Sequence, residues 1–327
     1  DLHYPLRRQR QMCIRDRNSN SYNKYTTLVQ LNDSTVVVAF EGKDSDGMIQ
    51  TLKIKADGII TKLKKFEHDT NLGQHNALVR VDDNTVALAY YASNKGTLKT
   101  FDIAADGTIT QVAFKDFSTG SNAGKYNQLV RLNTNIFVHA YSGASADGFI
   151  DAYDISADGK TIALKKSLEH DEVQNSYNSL IKIGLNRVAL AYTGVDTDGF
   201  VKSFDITSDG TTISQDINLE HDKSSATYND LFHIDSDNYG LLYRNSSNRG
   251  ILRIFNSVLT AAEISPEISS VTLDANNAEL VVTFNEPVFK GKGGSADLTA
   301  ADFKLTIVGG TAKLSSATPS SISKNGN

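Results

Sequence analysis

The sequence contains no tryptophan, one cysteine and four prolines in 327 residues. A lone cysteine cannot form a disulfide framework or a cysteine zinc site. Because that residue, Cys13, lies in the arginine-rich opening, the remainder of the chain also lacks a thiolate nucleophile. No apolar stretch reaches the ~18–20 residues that span a bilayer, and no signal peptide stands at the start. Also missing are a Gly-x-Ser-x-Gly elbow, a His-Glu-x-x-His helix and a phosphate loop, so none of those chemistries is indicated. Acidic residues outnumber basic ones outside the opening. The formal charge is −5, and residues 1–17 carry five arginines against two aspartates, a net +3 that leaves −8 elsewhere. An acidic body does not suit a phosphate backbone, and nucleic acid is not an expected partner.

Glycine is plentiful. The 23 glycines, many in Asp-Gly pairs, mark tight turns. The opening, by contrast, shares no pattern with the rest of the chain. RQRQMCIRDR resembles translated sequencing-adapter sequence, so residues 1–21 are set aside as a non-native leader.

From residue 22 the chain repeats. YTTLVQL, HNALVRV, YNQLVRL, YNSLIKI and YNDLFHI begin at Tyr25, His75, Tyr126, Tyr177 and Tyr228, at intervals of 50, 51, 51 and 51 residues. A second apolar series ends at Phe40, Tyr90, Tyr141, Tyr192 and Tyr243, and a glycine comes after each at Gly47, Gly96, Gly148, Gly199 and Gly250. Each unit reads as four short strands, A to D, divided by turn residues. Strand B is apolar at consecutive positions, so both of its faces should be covered. Four-stranded units at this period predict an all-β fold, a β-propeller of about five blades over residues 22–265. The blade total stays open, because the triplet expected near residue 18 is missing.

Residues 266–327 depart from the pattern. Val282-Thr283-Phe284 with Asn285-Glu286-Pro287-Val288, then Leu298–Phe303 and Gly309-Gly310-Thr311-Ala312, resemble the bacterial immunoglobulin-like domains of surface-layer and adhesion proteins. Such a domain needs roughly 100 residues, so this one reads as truncated. The resemblance implies an extracellular or cell-surface setting and a parent protein with further domains.

Glu67-His68-Asp69, Glu169-His170-Asp171 and Glu220-His221-Asp222 place metal-binding or proton-carrying residue types between strands D and A. By spacing to Asn127, Ser118-Thr119-Gly120 takes the triplet's place in one copy. The histidine and the B-to-C turn aspartates Asp46, Asp147 and Asp198 resemble, in position, the hydrogen-bonded pair of WD-repeat propellers. That resemblance implies a structural network. No metal or other cofactor is expected. Asp44, Asp46, Asp196 and Asp198 are weak calcium candidates, lacking the downstream glutamate of a helical calcium loop. The strand-A series Tyr25, His75, Tyr126, Tyr177 and Tyr228 supplies the ligand-binding candidates, placed to line a channel mouth and stack on sugar rings. His139 and His233 occur once each and read as core variants.

The leading functional expectation is a non-enzymatic adhesion module for a glycan or protein surface, with weak contacts summed over blades. The alternatives are a glycan-active hydrolase or lyase using carboxylates on the triplet face, and a passive scaffold.

Overall fold

The computed structural model describes residues 23–235, 237–256, 268–273, 280–284, 298–303, 316 and 318–323. The chain divides into two compact units, Asp1–Leu259 and Thr260–Asn327. The leader, residues 1–21, lies outside the described residues.

The first unit consists of antiparallel sheets, one per repeat. Blade 1 is β1 (Lys24–Gln30), β2 (Thr35–Glu41), β3 (Gly47–Ile54) and β4 (Ile60–Asp69). Blade 2 is β5 (Gln74–Arg80), β6 (Thr85–Ala92), β7 (Lys95–Ile103) and β8 (Ile109–Thr119). Blade 3 is β9 (Lys125–Arg131), β10 (Ile136–Ser142), β11 (Gly148–Ile155) and β12 (Ile162–Asp171). Blade 4 is β13 (Ser176–Gly184), β14 (Arg187–Thr193), β15 (Gly199–Ile206) and β16 (Ile213–Asp222). Blade 5 has three strands among the described residues, β17 (Thr227–His233), β18 (Asn238–Arg244) and β19 (Gly250–Asn256).

The first strands of successive blades pack side by side in chain order, which makes them the hub of a propeller. The second strand is buried on both faces in blades 2 to 4, most completely in β6 and β10. Its apolar side chains meet the neighbouring blade. Val188, Leu190 and Phe204 of blade 4 share a core with Val138, Ala140 and Ile150 of blade 3. The fourth strands alternate toward solvent, as their polar sequences require.

Each hub strand begins with a bulge. Tyr25, His75, Tyr126, Tyr177 and Tyr228 all adopt φ between 49° and 57°, and the strand register slips there in every blade. Left-handed backbone is costly for a bulky side chain and persists only where its surroundings enforce it. In the first four, the next blade holds the carbonyl that this conformation turns outward. Asn76, Asn127, Asn178 and Asn229 each donate a side-chain N–H to the aromatic carbonyl one blade earlier, at 3.2, 2.9, 3.0 and 3.2 Å. These four bonds staple blades 1 to 5 in sequence. Replacing Asn178 with alanine is expected to cost about 1–3 kcal/mol, because it orphans a part-buried carbonyl. An unchanged midpoint in thermal unfolding would show that the staple contributes nothing.

In the second unit β20 (Ile268–Leu273) pairs antiparallel with β21 (Leu280–Phe284), which holds the Val282-Thr283-Phe284 match. Of the other quoted immunoglobulin-like segments, Leu298–Phe303 contains a 3-10 turn at Ala300–Asp302, and residues 285–288 and 309–312 lie outside the described residues. Among the described residues no helix is long and apolar enough to cross a membrane.

Candidate functional site

The triplets end the fourth strands. Their histidines turn inward, with His68, His170 and His221 all buried. Each ring stands edge-on to a tyrosine of the next blade, at 4.6, 5.0 and 4.8 Å from Tyr90, Tyr192 and Tyr243. The constant spacing to a glycine has a steric cause: a Cβ on Gly148 would lie 2.6 Å from the His170 ring. Burial, with Lys99 beside His68 and Lys202 beside His170, holds those two imidazoles near pKa 3. Burial and Arg253 hold His221 near 4. All three are neutral at pH 7.

The expected bond from each histidine to a turn aspartate is not formed among the described residues. Asp46, Asp147 and Asp198 instead close their turns through backbone carbonyls, which accept from Gly42, Gly143 and Gly194 at 2.7, 2.8 and 2.9 Å. The polar link between blades runs through the third triplet residue. Asp69, Asp171 and Asp222 accept the hydroxyls of Tyr90, Tyr192 and Tyr243 at 3.0, 2.8 and 2.9 Å. The other carboxylate oxygen of each accepts backbone N–H groups of the adjoining loop. Glu67, Glu169 and Glu220 remain exposed.

In blade 2 the strand register moves the triplet's place. Gly96 pairs with Ser118 as Gly47, Gly148 and Gly199 pair with Asp69, Asp171 and Asp222. The equivalent residues are therefore Asp116-Phe117-Ser118, not Ser118-Thr119-Gly120. The loop to the stapling asparagine is nine residues there and seven elsewhere, which misleads an alignment made on Asn127. Phe117 fills the histidine position and packs 4.5 Å from His139, whose Nε2 bonds Asn127 Oδ1 at 2.9 Å. With Ser118 in place of the aspartate, the facing lysine position holds Asp151, buried and bonded by Tyr153 at 2.8 Å. Burial raises Asp151 to about 6. His139 is a core residue as expected, whereas His233 is exposed because it occupies the polar strand position of Arg80, Arg131 and Lys182.

Asp44 and Asp196 sit on single 3-10 turns with φ of 61° and 55°. Among the described residues no three His, Cys, Asp or Glu side chains gather closely enough to hold a metal ion.

The strand-A aromatics converge. The ring centroids step from Tyr25 to His75, Tyr126, Tyr177 and Tyr228 at 4.4, 4.7, 5.1 and 4.6 Å. Together with Asn76, Asn127, Asn178 and Asn229 they line one hollow of about 320 Å³ at the hub. The bulge explains this placement: left-handed backbone sends the carbonyl to the next blade and the ring inward. Within the series His75 is the one imidazole. It makes no side-chain hydrogen bond among the described residues, and burial with Lys125 nearby lowers its pKa to about 4. Two charges missed in the sequence flank the series. Glu41 is buried beside Tyr25 and accepts from Gln74 at 2.9 Å. The Arg244 guanidinium lies 4.6 Å over the Tyr228 ring, and its Nε donates to Thr227 at 3.1 Å. Both stand where Tyr91, Ser142 and Thr193 occur in the other copies, so the available signal was variation within the repeat.

The blades and their shared hollow define the class: an all-β propeller with one aromatic-lined hub site. No family model matches the sequence, and no curated protein does. Solved structures share the fold. The periplasmic gluconolactonase of Pseudomonas aeruginosa is 14% identical with a TM-score of 0.51, covering 76% of this chain and 75% of its own. A candidate 6-phosphogluconolactonase from Bacteroides fragilis is 15% identical at 0.51, covering 78% and 75%. Another from Bacteroides uniformis is 16% identical at 0.50, covering 78% and 76%.

These likenesses overturn the expectation of a non-enzymatic adhesion module, since these three structures bear the names of enzymes. Repetition of a residue does not by itself argue against catalysis. In a propeller, one residue from each repeat meets the others at a single hub.

Proposed function

We propose that the propeller is a hydrolase whose site is the hub hollow, acting on a small polyhydroxylated ring compound such as a sugar lactone. The observation that carries this reading is His75, a neutral imidazole with no side-chain hydrogen bond among the described residues, in the wall of an aromatic-lined hollow. Tyrosine rings stack on the apolar face of a sugar while their hydroxyls bond its rim. His75 would take a proton from water as it adds to the lactone carbonyl, then return it to the departing ring oxygen. The exposed Arg244 guanidinium over the Tyr228 ring, three rings along the series from His75, adds positive charge at that end of the series, suited to an anionic group of the substrate. The triplet face is less suited, because its aspartates are already bonded by tyrosines and its histidines are buried. An exported setting fits this reading, as the similar Pseudomonas structure is named periplasmic.

The test is hydrolysis of glucono-δ-lactone, its 6-phosphate and a panel of aryl glycosides, monitored by proton release. Turnover of at least one compound above the spontaneous rate is expected. Background rates throughout the panel would sink the proposal.

A further inference from the structure

Blade-to-blade contact follows one pattern at every junction. Between blades 4 and 5, Ala189, Ala191 and Val201 are fully buried against Leu231, Tyr239 and Leu241. The same face of blade 5 has no such cover. Leu242 and Leu252, which correspond to Ala191 and Val201, are 45% and 56% exposed, and Phe232, Ile234 and Ile254 beside them are 39%, 48% and 52% exposed. The opposite face of blade 1 is also bare. Leu28 is 66% exposed and Ile54 38%, where their counterparts in blade 2, Leu78 and Ile103, are 8% and 3%. A contiguous apolar face of this size on a soluble protein marks an interface. The hub agrees, because Tyr25 and Tyr228, the ends of the aromatic series, do not stack on each other among the described residues.

We infer that the two faces are covered by further blades of the same repeat on the same polypeptide, which close the ring between blade 5 and blade 1. The faces are apolar where every internal junction is apolar, so a blade is the shape they fit. The amount follows from the fold: a quarter of the Pseudomonas propeller protein has no counterpart here. In proportion to five blades that is roughly two more, within the usual range of 4–8. A second five-blade copy would be too large for such a gap. Each added blade contributes its own strand-A residue to the wall of the hub hollow, which is enclosed only when both faces are covered.

Blade 1 also specifies its neighbour. At the positions where Tyr90 and Lys99 of blade 2 meet the preceding blade, blade 1 carries Phe40 and Gln50. Phe40 has no hydroxyl to donate. The blade packed there therefore makes no tyrosine-to-aspartate bond to blade 1, and an aspartate ending it would lack that partner.

The experiment compares the 327-residue chain with a form in which residues 1–19 are replaced by a copy of residues 125–222, two consecutive blades. Light scattering after gel filtration, dye binding to exposed apolar surface, and thermal unfolding are the readouts. The extended form is expected to lose most of the dye signal, to remain monomeric and to melt about 10 °C higher. Changing the copied Asp222→Ser should raise the midpoint further. A stable dimer of the unextended chain with little dye binding would assign the faces to a second copy. Unchanged dye binding and melting in the extended form would remove the proposal altogether. None of these readouts depends on catalysis, so they stand apart from the hydrolase reading.

Discussion

Replacing His68, His170 and His221 together with phenylalanine is expected to keep the propeller folded well into acid that unfolds the natural protein. The three imidazoles have folded pKa values of about 3, 3 and 4, against 6.5 when unfolded. A base whose folded pKa is lowered leaves the unfolded state binding more protons between the two values. Stability from these groups is therefore complete above pH 6.5 and declines as pH falls toward 3–4. At about 1.4 kcal/mol per unit, His68 and His170 each contribute on the order of 4 kcal/mol to that decline. A domain stability of roughly 5–15 kcal/mol does not survive several such losses. Phenylalanine is an appropriate replacement because Phe117 already fills this position in blade 2. It also removes buried ring nitrogens that have no hydrogen-bond partner, an orphaning that costs about 1–3 kcal/mol per group. The triple variant should shift the acid midpoint, monitored by circular dichroism, down by about one pH unit or more. Coincident acid transitions would mean that the triplet histidines do not govern acid stability.

The second large effect concerns His75. Replacement by glutamine keeps a polar side chain of similar reach but removes the base, and kcat/KM should fall about 100-fold or more. Melting should change little, since the half-buried ring lines the open hollow and makes no side-chain hydrogen bond among the described residues. Lys125→Met acts in the opposite sense on titration. It removes a positive neighbour that disfavours the imidazolium, so the His75 pKa rises from about 4 toward its unperturbed value. Full activity in the glutamine variant would move the chemistry away from the hub.

The blades were legible in the sequence because one period recurs. Bulge, glycine and apolar strand each return at nearly fixed intervals, and strand B is continuously apolar because both of its faces meet protein. The partners of the repeated polar residues were harder to read, because they lie on different blades. Tyr90, Tyr192 and Tyr243 each lie 21 residues beyond their aspartate. That constant separation was visible, but nothing local distinguishes it from the nearly equal separation to the turn aspartates of the same blade. The aromatic series was recognised, yet its left-handed backbone was not. A tyrosine at positive φ has no sequence signature when the constraint is an asparagine donating from the adjacent blade. Glu41 and Arg244 were overlooked for a related reason. Attention to the repeated positions passes over those where copies differ, and those differences give the hub its one imidazole and its two flanking charges.

The pH dependence of lactone hydrolysis tests the central claim most directly. With His75 as the base, the rate should fall in acid along a limb centred near pH 4 and stay level from about pH 5 upward, because the imidazole must be unprotonated to accept a proton. Lys125→Met should move the limb upward, and His75→Gln should leave a residual rate without it. A limb at the same pH in all three proteins, or one that His75→Gln leaves intact, would contradict an active site at the hub.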